Sequence, residues 1–228
     1  MKYNTSEIVN SCFNGKMGIG DYLKAVFGLF VGNIKDILLI TLAVQLPLIA
    51  LTMISLPTFI YGLLGIVAQV IYIVSIIKLI DSKAKGNQIN WIEAIKLVKE
   101  NWIQSSGAII FQSFLMGLGM KIPFIPVVIT VILAVSIPMG ALQGKTMFES
   151  AIESVNLVKG NLLDVLIKFL VLSALTGVLL GGFGIIAEMN PTLLIPMSIL
   201  SAVIGTVQAV SSLVLFYNLP TVEEKMAI

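Results

Sequence analysis

The chain has 228 residues, of which 57% are apolar and 11% charged, and a formal net charge of +2. Soluble domains carry about a quarter charged residues, so this composition cannot cover its apolar surface against water, and the surrounding solvent is expected to be lipid. With no histidine, a single cysteine (Cys12) and every basic residue a lysine, the chain offers no disulfide, no CxxC motif, no His/Cys metal set and no guanidinium fork for phosphates, which argues against metal, haem and nucleic-acid readings and leaves no cofactor expected.

Residues 1–17 read as a polar cytoplasmic N-terminus without the apolar core of a cleaved leader. Asp21 to Phe27 is weakly amphipathic. From Ile37 to Ile77 there is no charge, which is room for two membrane helices of about 20 residues each, with a turn near Leu56-Pro57-Thr58. Trp91 to Glu100 mixes apolar and charged residues at helical spacing between two tryptophans, the pattern of a helix lying flat on the membrane. Asn101 to Met120 is the third span. Ile122 to Gly144 is the fourth, beginning at Pro123-Phe124-Ile125-Pro126, where a helix start tolerates proline.

Met147 to Val155 repeats the amphipathic pattern, Phe169 to Ala187 holds the fifth span, and the sixth lies between Met189 and Val222 after an Asn190-Pro191 turn. Residues 221–228 form a tail. The expected fold is all-α: a polytopic membrane helix bundle of about six spans in one domain over 18–220.

Lysines orient it, because short cytoplasmic loops retain them. Lys2, Lys16, Lys24, Lys35, Lys78, Lys83, Lys85, Lys96, Lys99, Lys145, Lys159 and Lys225 fall on one side of the six-span arrangement, Lys168 just inside the fifth span from that side, and Lys121 alone on the other. Both termini are therefore expected in the cytoplasm. Many lysines without arginine fit an AT-rich bacterial genome, hence a bacterial plasma membrane.

Three segments align without gaps on an asparagine: Leu29-Phe30-Val31-Gly32-Asn33, Leu97-Val98-Lys99-Glu100-Asn101 and Leu157-Val158-Lys159-Gly160-Asn161. Asp36 and Asp164 stand three residues later, with Gln104 in the middle unit. Gln45, Ser113 and Ser173 stand twelve later, and the second spans share Val74-Ser75, Val135-Ser136 and Val210-Ser211. The chain reads as three units in one orientation, about 18–81, 88–144 and 146–218, each an interfacial helix followed by a transmembrane hairpin.

Polar residues inside a membrane are the candidates for function. Gln45, Gln69, Gln112, Ser113, Thr130, Ser173, Thr206 and Gln208 fall at similar depths and read either as a belt that coordinates a ligand or as hydrogen bonds between helices. Asp164 and Lys168, four apart, share a helix face and read as an ion pair, with the lysine stem snorkelling to the interface. Gly177 and Gly181 are spaced to let another helix approach. Gly15-Lys16-Met17 departs from a phosphate loop, since Met17 stands where Ser or Thr is needed.

The amphipathic helix, Lys or Gly before Asn, and long apolar span, as in Ser154-Val155-Asn156-Leu157-Val158-Lys159-Gly160-Asn161-Leu162, resemble a broad group of poorly characterised bacterial six-span membrane proteins, and are similar to the membrane domain attached to some glycerophosphodiester phosphodiesterases. The resemblance runs from Gly18 onward and implies a six-span fold. It supplies no catalytic residue, and the chain lacks a phosphodiesterase domain.

The expected function is a non-enzymatic membrane protein that binds lipid, a hydrophobic peptide or a membrane partner, including protection against a membrane-active peptide. Its expected partners are membrane lipids and a second protein or copy of itself, with no nucleic acid. A transporter or permease subunit, served by a separate ATPase, is the alternative. An intramembrane enzyme using Asp36 or Asp164 is a third reading, disfavoured because both lie near the cytoplasmic interface beside lysines.

Overall fold

The computed structural model describes residues 5–13, 17–52, 57–119, 121–122 and 124–219. Leu56, Met120, Pro123, Pro220, Lys2, Gly15, Lys16, Lys225 and the tail 221–228 lie outside the described residues. Within them the chain is all α-helical: α1 (Thr5–Phe13), α2 (Ile19–Gly32), α3 (Ile34–Thr52), α4 (Thr58–Ala84), α5 (Trp91–Leu97), α6 (Trp102–Gly119), α7 (Ile125–Ile132), α8 (Ser136–Gln143), α9 (Met147–Lys159), α10 (Leu162–Met189) and α11 (Leu194–Asn218), with 3-10 turns at Val98–Asn101 and Pro191–Leu193.

Five segments are long and apolar enough to cross a membrane: α3, α4, the stretch Ile125–Gln143 formed by α7 and α8, α10 and α11. The chain is thus a multi-pass membrane protein. The segment expected as the third span forms α6, 18 residues long, which is not among the five. Gln104, Ser105, Ser106, Gln112 and Ser113 make it more polar than they are.

The expected fourth span is not one continuous helix. It breaks between α7 and α8 at Leu133–Val135; in a continuous helix Pro138 would have no N–H for the Ala134 carbonyl four residues back, and its ring would clash with it. Ser154 of α9 repairs the break. Its hydroxyl donates to the Ile132 carbonyl at 2.8 Å and accepts from the Val135 N–H at 3.4 Å. Irregular backbone at membrane depth requires such protein partners.

The short helices start where local chemistry demands. Asn90 caps α5 and Thr146 caps α9, each in a reciprocal capping box with Glu93 and Glu149 respectively. The amphipathic helix expected from Trp91 to Glu100 tightens into a 3-10 turn after Leu97, whereas α9 runs four residues beyond the expected Val155. Each short helix packs on the second arm of a hairpin: α5 on α4, α9 on α8, and α2 on α11, which closes the ring between the two ends of the chain.

Residues 5–13 are not a free tail. They form α1, which packs on α2, α4 and α11 and buries Val9 and Cys12. The buried core, including Leu29, Ile37, Ile40, Ile76, Ile80 and Leu213, gathers at the end of the bundle where α3 and α10 begin and α4 and α11 finish. The opposite halves of α4 and α10 are largely exposed. Lipid tails are as apolar as leucine, so leaving those halves on the outside costs little, and helix association there has to come from packing and hydrogen bonds.

Candidate functional site

Between the hairpins lies a cavity of about 700 Å³, within the roughly 300–1,000 Å³ range of small-molecule sites. Every long helix contributes: Gln45 from α3; Gly65, Gln69 and Tyr72 from α4; Gln112, Ser113 and Met116 from α6; Thr130 from α7; Phe169 from α10; and Gly205, Thr206, Gln208, Ser211 and Ser212 from α11. Seven of the eight residues expected to form a polar belt therefore line one space. The eighth, Ser173, stands beside it and accepts a hydrogen bond from Gln208 Nε2 at 3.4 Å. No Lys, Asp or Glu is among the lining residues.

The hydroxyls are largely satisfied within their own helices. Thr130 donates to the Pro126 carbonyl at 2.8 Å and Thr206 to that of Val203 at 2.7 Å. Tyr72, which sequence reasoning passed over as one more apolar-span residue, donates to the Ala202 carbonyl at 2.6 Å and ties α4 to α11 across the cavity wall. Gln112 differs: its Oε1 is buried with no hydrogen-bond partner. Such an acceptor costs about 1–3 kcal/mol, and it is shut off from the cavity space as well as from solvent.

Below the cavity, at the core end, charges are paired. Lys78 reaches Glu100 at 2.8 Å, Lys83 reaches Asp36 at 2.6 Å, and Lys85 reaches Asp81 at 2.7 Å; Tyr217 donates to the other oxygen of Asp81 at 2.5 Å. Lys145 pairs with Glu153. Asp164 and Lys168 form the expected ion pair at 2.8 Å. The lysine does not snorkel outward, however. It is 1% exposed and turns into the bundle, 3.5 Å from Asn218 Oδ1 and over the Tyr22 ring at 5.5 Å, because α2 and α11 supply there a π face and an amide that lipid cannot.

Tyr22 is bonded in turn to the Ser211 hydroxyl, and burial pushes its phenol up to about 12. Asn218 also holds α1: it accepts from the Met17 N–H at 3.4 Å and donates to the Cys12 carbonyl at 3.0 Å. The Cys12 thiol is raised to about 11, chiefly by burial. None of this cluster is visible in local sequence spacing except the Asp164–Lys168 step.

The three aligned asparagines all sit where a short helix gives way to a long one. Asn33 donates to the Leu29 carbonyl at 2.8 Å and Asn161 to that of Leu157 at 3.4 Å, four residues back in each case. Asn101 instead crosses to the Ala141 carbonyl on α8 at 2.9 Å. A side chain at Gly177 or Gly181 would project into open space, so the close approach expected from their spacing is not made at these two positions among the described residues.

Fold and site together define a multi-pass helical membrane protein with an uncharged, half-open cavity whose mainly apolar wall carries a set of amides and hydroxyls. Comparison with protein-family models, with curated proteins and with solved structures finds no match to this chain.

Proposed function

We propose that this is a non-enzymatic integral membrane protein that binds a lipid or hydrophobic peptide in the cavity between its hairpins. The observation that carries the reading is the convergence of Gln45, Gln69, Gln112, Ser113, Thr130, Thr206 and Gln208, from five separate helices, on one space of about 700 Å³. The non-enzymatic reading is supported by Asp36 and Asp164 each being held by a lysine.

On this proposal the chain is three related units, each anchored by Asn33, Asn101 or Asn161, and the relation to bacterial six-span proteins rests on those segments. The lysine-rich end faces the cytoplasm of a bacterial plasma membrane, with membrane lipids as constant partners. Protection against a membrane-active peptide would be sequestration in this same space.

The test is affinity purification in mild detergent followed by mass spectrometry of retained lipids, peptides and proteins, for the wild type and for Gly205→Leu, which projects into open cavity space. A species retained by the wild type and lost from Gly205→Leu is expected; the same set on both would sink the reading. Because the polar wall lies part-way along all the long helices, a transport subunit is the second reading. A stoichiometric ATPase in the purification, with a flux lost in Gln45→Ala, Gln112→Ala and Ser173→Ala, would favour it.

A further inference from the structure

The cavity has an electrical character that constrains its occupant. Its wall carries amide and hydroxyl groups and no ionisable carboxylate or ammonium. The charges nearest its floor are already spent on one another: Lys168 lies 2.8 Å from Asp164, and Lys78, next in sequence to the lining residue Ile77, lies 2.8 Å from Glu100. An ionised head group placed here would leave water and gain no counter-charge, the arrangement that buried charges avoid.

The wall also offers hydrogen bonds of both kinds. Gln45, Gln69 and Gln208 bring amide carbonyl and N–H groups to it, so a head that both donates and accepts matches it better than an ester or ether, which only accepts. An amide or an alcohol does both. The apolar part of the wall, with Ile73, Met116, Phe169 and Leu215, takes a hydrocarbon tail. About 700 Å³ lies within the roughly 300–1,000 Å³ range of small-molecule sites, a size that suits one acyl chain with a small head.

We propose that the ligand of this cavity is a neutral, single-chain amphiphile whose head is an amide or alcohol, and that the cavity discriminates against anionic and cationic amphiphiles of the same length. This inference rests on the cavity being a binding site, and adds to it the class of ligand and the basis of selection.

The experiment uses the full chain in phosphatidylcholine nanodiscs, with bound molecules counted by native mass spectrometry. Four probes share one chain: palmitamide, palmityl alcohol, palmitate at a pH where it is ionised, and palmityl trimethylammonium. Palmitamide and the alcohol are expected to bind one per protein and to compete, with palmitate and the ammonium weaker by roughly a hundredfold, the scale set by leaving a charge buried without a partner. The double variant Gln45→Leu with Gln69→Leu is expected to weaken palmitamide about tenfold, as loss of a hydrogen bond to the head does.

Two filled variants separate the failures. Gly205→Leu and Gly65→Leu both project into open space, and whichever retains the wild-type melting temperature is used. If palmitate or the ammonium binds as tightly as palmitamide and is lost on filling, the selection for neutrality is overturned while the cavity stands. If binding of the neutral probes survives filling, or neither neutral probe binds, the cavity reading itself falls.

Discussion

The ammonium of Lys168 on α10 and the side-chain oxygen of Asn218 on α11 lie 3.5 Å apart in the bundle interior, while the same ammonium donates to Asp164 at 2.8 Å. The two partners of that ion pair are unequally placed: the Lys168 side chain is 1% exposed and that of Asp164 is 27%. Removing the carboxylate strands a buried charge, whereas removing the lysine leaves a carboxylate that water can reach. Asp164→Ala is therefore expected to cost about 3–5 kcal/mol and Lys168→Ala distinctly less, measured by thermal unfolding in detergent. Equal losses would contradict the inward placement of the lysine.

At the α6–α8 contact, Asn101 bonds the Ala141 carbonyl, and Gly144 stands against the asparagine at φ +66, where a Cβ would come within 3.1 Å of Asn101 Oδ1. Gly144→Ala should lower stability by about 1–3 kcal/mol through backbone strain, and Asn101→Ala by about 1 kcal/mol through the lost bond. Because the two residues touch, the double variant should lose less than the sum. A double-variant cycle of melting curves checks this.

Cys12 reports on the docking of α1. Its thiol is 1% exposed and raised to about 11, so alkylation near neutral pH is expected to be slow, since only the thiolate reacts. Asn218→Ala removes the bonds to Met17 and Cys12 and is expected to speed alkylation at least about tenfold, a factor that one hydrogen bond supplies. An unchanged rate would mean that α1 is held by its apolar contacts alone.

The same burial sets a pH dependence. Cys12 moves from 9.0 to about 11 and Tyr22 from 10.0 to about 12. Both groups hold their proton more tightly folded than unfolded, so their contribution is fully present below about pH 9 and is lost as pH rises through 11 and 12. Melting temperature should fall above about pH 9, and less steeply in Cys12→Ala. A fall of equal slope in that variant would assign the effect to other groups.

Two classes of glycine should behave oppositely. A Cβ at Gly119 would meet Ile125 Cγ2 at 2.5 Å, whereas Gly177 and Gly181 face open space. Gly119→Ala should destabilise by about 1–3 kcal/mol, while Gly177→Ala and Gly181→Ala should be neutral or gain up to about 1 kcal/mol each from helix propensity. Destabilisation at the latter pair, seen by thermal unfolding, would mean that something outside this chain packs on them.

Much of the architecture is determined by the sequence alone. Charge-free intervals mark the long helices because a bilayer accepts little else; an i, i+4 spacing brings Asp164 to Lys168; and the recurrence of Gln45, Ser113 and Ser173 at one distance from an asparagine sets their depth, since helical rise is constant. Depth is not direction. Only the tertiary structure turned seven of the belt residues onto one cavity, drew Lys168 inward beneath Tyr22, broke the fourth span so that Ser154 fills the gap, and folded residues 5–13 onto Asn218. Each of those depends on groups far apart in the chain, and local periodicity carries no record of which helix will stand opposite another. The glycine spacing on α10 shows the converse: a pattern suited to close packing, with open space beside Gly177 and Gly181 among the described residues.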